Sequence, residues 1–548
     1  MAEAASTESE LSGDLWGGFA AALVALPSAI AFGVAIYTPL GAERGAAGAV
    51  AGVLGAVALG LIAPALGGAP RLITAPCAPA AAVMSALAAD LATRGLAPDL
   101  AIASMVAVAA LSGVLQLGFG LLGAGRLIKY IPYPVVSGYL SGVAILIFLK
   151  QLPGLLGLRG GQPLGHALAA PSSVSWSSVA VGVVTIAAMA GAPLVTRRIP
   201  PPVIGLAGGL AAYFGLAARD SSLLTTVDNP LVVGPIGGGG GSVFAELPTR
   251  LLALPQIPGA LVADLVAAAA TLSVLLSMDT LKTGVVVDAL TRSRHDSNRE
   301  LRGQGAANLA SALLGGVPGA GTMGATLVSV SSGGRTRRAG LVAGATSLVA
   351  YVALSGLIAW IPRAALAGIL LVVAFRMFDR ASLKLLRSRT TLLDFLVVLA
   401  VVVVAVGVGL VTAAGVGVAL ATVLFVREQI RGTVVRRRAS GEQIRSKQQR
   451  LPQELDVLAE HGSELTVVWL SGDLFFGTTD QLFSELSRDL TERRYVVLEL
   501  SRVQSLDYTA AHLLEQMEDQ LGSHGGHLLY AGLRRGSPAG RELIRYLD

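Results

Sequence analysis

Ile131-Pro132-Tyr133-Pro134-Val135-Val136-Ser137-Gly138-Tyr139-Leu140 returns later in the chain as Ile361-Pro362-Arg363-Ala364-Ala365-Leu366-Ala367-Gly368-Ile369-Leu370. Ile, Pro, Gly and Leu recur in register, and each copy opens an apolar segment. Apolar stretches fill the chain from Leu15 to Val426. An internal repeat in that setting implies a membrane domain built from two related halves.

Composition supports the class. Hydrophobic residues make up 53% and charged residues 14%, with a mean hydropathy of +0.67, far above what a water-facing surface tolerates. The formal net charge of +6 does not point to nucleic acid, because the basic residues flank apolar runs, where membrane topology accounts for them. The acidic segment Met1 to Asp14 lacks a basic region and a small-residue cleavage site, so it reads as a cytoplasmic tail and not a cleaved leader. Cys77 is the single cysteine, which excludes an intrachain disulfide.

Measured against the ~20 residues that cross the hydrocarbon core, the apolar runs give a first set of spans. These are Leu15–Tyr37, Ala46–Leu66, Ile73–Leu91, Ala101–Leu122, Pro134–Leu149, Val174–Val195 and Val203–Leu216. The second set is Leu261–Val287, Gly305–Leu314, Thr322–Val330, Leu341–Ile361, Ala364–Met377, Leu392–Leu410 and Val411–Val426. The expected fold is therefore an α-helical polytopic membrane protein of 14 spans. An odd number per half makes the second half enter from the opposite side, so the 7+7 repeat is inverted, as in alternating-access transporters. Arg126, Lys129, Arg197, Arg198, Arg335, Arg337, Arg338, Arg380, Lys384 and Arg387 fall on connections that this topology places inside, with both termini cytoplasmic. The long loop from Ala217 to Ala260, with the run Gly237 to Gly241, joins the halves as flexible linker.

Two spans open with helix breakers at matched places: Ala75-Pro76-Cys77-Ala78-Pro79 before the third, and Gly315-Gly316-Val317-Pro318-Gly319-Ala320-Gly321 before the tenth. Irregular backbone at membrane depth is tolerated only against protein or a wet cavity. The helices that follow would present unpaired N–H groups and a partial positive charge, so two such ends facing each other make an anion site. Close packing of small residues is the competing explanation. The candidate binding residues are Cys77, Ala78, Pro79 and Ala80 at the first breaker and Gly321, Thr322, Met323 and Gly324 at the second.

The eighth span carries Asp279 and Lys282 near its middle. Each costs about 2.5–3.5 kcal/mol on insertion scales, which marks an intramembrane ionisable pair as functional by default. Asp279 and Thr283 share a helical face at i, i+4, and Lys282 at i+3 reaches the same carboxylate. A mutually neutralised structural pair is the alternative. Asp264 and Asp288, nearer the span ends, read as interfacial.

The run Arg292-Ser-Arg-His-Asp-Ser-Asn-Arg-Glu-Leu-Arg-Gly-Gln-Gly305-Ala-Ala-Asn308, the stretch from Tyr130 to Gly142, and Ala364-Ala-Leu-Ala-Gly368-Ile-Leu resemble the SulP (sulfate permease) family of anion transporters. The resemblance covers almost the whole chain. It implies a core of spans 1–4 and 8–11 moving against a gate of spans 5–7 and 12–14, with the anion between the starts of spans three and ten. It also implies that Asp279 and Thr283 match the acidic and hydroxyl positions that hold the coupling cation in sodium-dependent bicarbonate members. Two departures stand out: Lys282 is unusual for the family, and Ala325 replaces an arginine that animal members carry beside the anion.

Beyond Arg427 a basic stretch, with Arg436, Arg437, Arg438, Arg445, Lys447 and Arg450, reads as a linker over 429–462. From Ser463 to Asp548 strand and helix character alternate: Leu465–Leu470, Thr478–Leu490, Tyr495–Leu500, Ala510–Leu521 and His527–Ala531. That order resembles the STAS domain of SulP transporters. Soluble STAS relatives are phosphorylated on a serine at the place of Thr509, although a hydroxyl capping the next helix explains this residue more simply.

The expected function is secondary active transport of a small inorganic anion, sulfate or bicarbonate, across the plasma membrane, proton-coupled or exchange-driven. Sodium-coupled symport of bicarbonate or a dicarboxylate is the alternative, and a membrane sensor or scaffold signalling through STAS is the rival of another class. The expected partners are the anion, a proton, counter-anion or sodium, the lipid bilayer, a second copy of the chain, and a cytoplasmic regulator at STAS. No cofactor, metal or nucleic acid is called for, and a hydrolytic enzyme is excluded because His166, His295, His461, His512, His524 and His527 have no nucleophile spaced around them.

Overall fold

The computed structural model describes residues 2–128, 133–158, 173–196, 200–226, 229, 231–234, 254–387, 391–409, 412–413, 415–417, 419–420, 422–424, 434–444 and 451–532. Lys129, Ile131, Pro132, His166, Arg197, Arg198, the glycine run 237–241, Arg445, Lys447, Arg450 and residues 533–548 lie outside them. The chain forms two compact units, Met1–Ala419 and Leu420–Asp548.

Helices occupy the apolar runs of the first unit. They are α1 Ala2–Tyr37, α2 Gly45–Leu66, α3 Ala78–Thr93, α4 Pro98–Leu121, α5 Tyr133–Leu155, α6 Trp176–Val195 and α7 Pro201–Ala217. After the long connection come α8 Gly259–Thr291, α9 Ser297–Leu313, α10 Met323–Ser331, α11 Arg337–Ile358, α12 Arg363–Met377 and α13 Leu392–Gly407. In the run read as a fourteenth span, 411–426, the described residues 412–413, 415–417, 419–420 and 422–424 are helical, and positions 411, 414, 418, 421, 425 and 426 lie outside the described residues. Among the described residues, 6 helices are long and apolar enough by length and composition to cross a membrane: the apolar part of α1, and α2, α4, α5, α6 and α8. Helices α1, α2, α4, α8, α9 and α11 pack chiefly on one another, as do α5, α6, α7, α12 and α13.

The segment read as a cytoplasmic tail is helical from Ala2, and its last residue is not a solvated charge. Asp14 is buried and accepts hydrogen bonds from the Arg335 and Thr336 amides at 2.7 and 2.9 Å and from the Thr336 hydroxyl. It thereby satisfies orphan donors where α11 begins. Small residues set the spacing of the bundle. Gly33 on α1 stands against Gly48 on α2, and a methyl group on either would collide with the other's backbone carbonyl.

Both breaker segments form strands. β1, Thr74–Pro76, and β2, Gly319–Gly321, pair antiparallel with Thr74 opposite Gly321 and Pro76 opposite Gly319. Each strand runs directly into a short helix, α3 of 16 residues or α10 of 9 residues. At 1.5 Å per residue these reach about 24 Å and about 14 Å, short of a ~30 Å hydrocarbon core. A β-pair there satisfies backbone groups that a helix would otherwise satisfy.

Two strands leave outer edges, and buried side chains cover that of β2. Asn308 on α9 accepts from the Gly319 amide at 2.8 Å and donates to the Gly319 carbonyl at 3.0 Å. Its amide also donates to Gln116 on α4 at 2.8 Å, and Gln116 donates to Ser277 on α8 at 3.3 Å. On the β1 side Gln304 donates to the Thr74 hydroxyl at 2.7 Å and to Glu300 at 2.9 Å, and Glu300 accepts from the Gly68 and Ala69 amides at 2.8 Å. Thr280 accepts from the Gly321 amide at 3.0 Å, and Thr326 accepts from the Ile73 amide at 3.1 Å.

The second unit is an α/β layer. β3 Val435–Ser440, β4 Leu465–Leu474, β5 Tyr495–Leu506 and β6 His527–Ala531 lie in that order, β3 antiparallel to β4 and the others parallel. The helices are α14 Pro452–His461, α15 Phe476–Leu486, α16 Asp489–Glu492 and α17 Tyr508–Ser523. Alternation along β4 and β5 buries Val468, Leu470, Val496 and Leu498 with Leu482 and Leu514 from α15 and α17. Part of the stretch read as a basic linker is edge strand β3, where Arg436, Arg437 and Arg438 are exposed, and part is α14. Charge on an edge strand discourages further pairing, so the composition of this strand imitates a linker. The cap of α17 is Asp507, whose side chain accepts from the Ala510 amide at 2.7 Å, and not the Thr509 hydroxyl; Thr509 is exposed.

Replacing Asn308 with Ala should destabilise the first unit by about 3 kcal/mol, because it strands a buried N–H and a buried C=O on Gly319. Thermal unfolding in detergent checks this, with Asn308→Asp expected to fall between the two since it keeps the acceptor and loses the donor.

Candidate functional site

The β-pair decides where the two half-helices start. Cys77 is the N-cap residue of α3, with extended backbone, and no side chain caps the helix; Pro79 lies in its first turn, where a missing N–H costs nothing. Thr322 holds the same position before α10, also without a side-chain cap. The Gly321 and Thr322 amides are already engaged, by Thr280 and by the Ile73 carbonyl at 2.8 Å. The donors left over among the described residues are the first-turn amides that follow, at Met323 and Gly324 on one side and Ala78 on the other, the Ala80 amide facing the Cys77 sulfur. Uncapped first turns carry roughly half a positive charge each.

The candidate residues do not all share one surface. Pro79, Asp279 and Lys282 line a cavity of about 330 Å³. Cys77, Ala78 and Ala80 are buried behind it, at 4%, 7% and 0% exposure. Gly324 is exposed, and a Cβ there would meet nothing within 4 Å, so its face of α10 opens onto free space. Gly321 is packed against Leu72, and Thr322 and Met323 are half-buried. None of these four residues of the second breaker lines the cavity.

Lys282 does not close an ion pair with Asp279: among the described residues no nitrogen–oxygen approach within 4.0 Å joins them. The i, i+3 spacing puts both in the cavity without bringing their charged ends together. Thr283 is 1% exposed, lies outside the cavity lining, and its hydroxyl has no hydrogen-bond partner. Ala325 packs with Ala21, Ala22, Ala25 and Ile73 in an apolar cluster, so α10 brings no cationic side chain at that position.

The opposite wall comes from α5 and the segment after α12, which sequence reasoning did not single out. Tyr133, Ser137, Tyr139 and Asp379 line it. The Tyr133 hydroxyl donates to Asp379 at 2.6 Å, and the Asp379 amide donates to Ser141 at 3.3 Å. Asp379 therefore adds a second carboxylate to the cavity. An acidic residue in a loop gives no periodicity signal, and only the fold brings it to α8. Gln116, Thr280 and Thr326 were legible in one respect only, as polar residues inside apolar runs.

Asp264 and Asp288 lie elsewhere. Asp264 pairs with Arg94 at 2.8 Å near one end of α8, and Asp288 holds the buried His295 ring at 2.7 Å near the other.

Residues 11–401 match the sulfate permease family and residues 456–537 match the STAS domain. The chain is 35% identical over 412 residues to the bicarbonate transporter BicA of Picosynechococcus, covering 73% of this chain and 69% of that protein. It is 32% identical over 531 residues to BicA of Synechocystis, covering 95% and 88%. The solved transmembrane domain of a cyanobacterial BicA superposes with a TM-score of 0.62 at 33% identity, over 74% of this chain and 97% of that one.

Gly324→Phe should fold normally, since its side chain enters open space, yet should remove the stabilisation that added anion gives to thermal unfolding. Ala80→Phe, at a fully buried position, should instead unfold the bundle. Unchanged anion stabilisation in a well-folded Gly324→Phe protein would take α10 out of the site.

Proposed function

This chain belongs to the sulfate permease family, and on that premise we propose that it is a secondary active transporter of a small monovalent oxyanion, bicarbonate before sulfate, working by alternating access. The observation that carries the reading is the cavity in which the start of α3 meets Asp279 and Lys282. Its charged walls hold two carboxylates and one ammonium, and the start of α3 adds about half a positive charge. A monovalent anion entering with one cation leaves that sum unchanged. A divalent anion would need a second cation in a low-dielectric site, where each uncompensated charge is costly.

Lys282 shares the cavity with Asp279, so a proton delivered to the carboxylate suffices as the coupling cation. Asp279 with Thr283 offers oxygen ligands for sodium as the second coupling mode, supported by a Thr283 hydroxyl that has no hydrogen-bond partner among the described residues. The anion sits between the starts of α3 and α10, beside Cys77 to Ala80 and Gly321 to Gly324, with the Ala78, Met323 and Gly324 amides supplying backbone donors.

Antiparallel pairing of β1 with β2, each followed by a half-helix, is what a two-fold axis in the membrane plane produces. It supports the 14-span, 7+7 inverted arrangement with both ends of the chain in the cytoplasm of a plasma-membrane protein. The packing of α1–α4 with α8–α11 supports a core that moves against a gate of the remaining spans. The chain pairs as a homodimer through STAS and the last spans.

Uptake of labelled bicarbonate into proteoliposomes, with sodium and proton gradients varied separately, tests the reading. Uptake should follow the proton gradient and exceed that of sulfate, while Lys282→Ala should lower it at least about tenfold by leaving the carboxylates without their cation. A steep, saturable sodium requirement in the unmodified protein would assign Asp279 to sodium. Light scattering in detergent should give twice the chain mass, and a monomer that also fails to crosslink in membranes would remove the dimer.

A further inference from the structure

Buried hydroxyls ordinarily have hydrogen-bond partners, and an exception needs a cause. Tyr139 is such an exception: it is 3% exposed, yet its hydroxyl has no partner among the described residues. It stands on α5 in the wall of the cavity whose other side holds Pro79 of α3, Asp279 and Lys282. It is also close enough to Cys77, the cap residue of α3, for the two to interact electrostatically. A phenol is a donor of fixed direction on a stiff side chain. Here that donor is buried, without a partner among the described residues, and beside the helix start that draws negative charge.

We propose that Tyr139 is an anion-binding residue, its hydroxyl donating a hydrogen bond to an oxygen of the transported oxyanion from the α5 wall while the start of α3 holds it from the other. The inference rests on the transport reading above and extends it, because it makes the site bipartite. Ligands then come from two groups of helices, so the anion itself bridges the surfaces that alternating access must separate. A tyrosine with a purely structural role would lose stability with its hydroxyl. An unsatisfied one would not, since deleting a buried group that has no partner removes a desolvation cost.

The test is Tyr139→Phe in the full chain. Labelled bicarbonate uptake into proteoliposomes should show KM raised about tenfold or more, the typical loss of a hydrogen bond to a charged group. Thermal unfolding without anion should be unchanged or shifted upward. A KM within about twofold of the parent protein, or a lowered unfolding temperature, overturns the assignment. If the parent takes up no anion, the transport reading fails, and stabilisation of the parent and variant by sodium bicarbonate then decides Tyr139 separately. Stabilisation that is equal in both, or absent in both, overturns it.

Discussion

An irregular backbone inside a membrane must find all its hydrogen bonds within the protein, and the antiparallel pair of Thr74–Pro76 with Gly319–Gly321 meets that demand. The rest of the first unit is arranged around it. Asn308 and Thr280 close the outer edge of β2 from two different helices, and Thr326 takes the Ile73 amide just before β1. Were any of these edges open, a buried amide or carbonyl would cost about 1–3 kcal/mol. The network also fixes where α3 and α10 begin. Both start with uncapped first turns, so the positive ends of two half-helices are built into the protein interior rather than neutralised by side chains.

On the proposed reading, this arrangement is what draws an anion into a cavity that also holds carboxylates. Backbone dipoles attract negative charge without adding titratable cations. Among the described residues Lys282 supplies the one full positive charge on the cavity wall, flanked by Asp279 on its own helix and Asp379 across the space. Charge in such a site is balanced to within about one unit, and adding one ion therefore favours adding its counter-ion. The glycine contacts between α1 and α2 keep the surrounding helices close enough to exclude lipid from the pair.

The second unit uses ordinary water-soluble logic. Its sheet has a buried face built by strict alternation, and α17 is capped by Asp507. Asp489 is 1% exposed and is held by Arg438 of the edge strand at 2.6 Å and by Thr466 at 3.3 Å. The strand that the arginines disguise is thus tied to the layer by one of those same arginines.

Hydropathy and breakers determined a great deal by themselves. Long apolar runs have no other stable form than helices in lipid, so the helices fall where composition puts them, and Pro-Gly clusters inside those runs announce the two interruptions. The intramembrane charges Asp279 and Lys282 were legible for the same reason, since they are expensive where they stand. Only the tertiary structure decided what those residues face. Spacing on α8 places Asp279, Lys282 and Thr283 within one turn, but packing sends the first two into the cavity and buries the third. Tyr139 and Asp379 could not be read as site residues, because their partners lie on elements far away in sequence. Asp14, in what composition marks as a solvated tail, is buried because the start of α11 needs its carboxylate. A sequence records the cost of a residue in its local medium, whereas a site is made by which distant backbone groups are left without partners once the chain has packed.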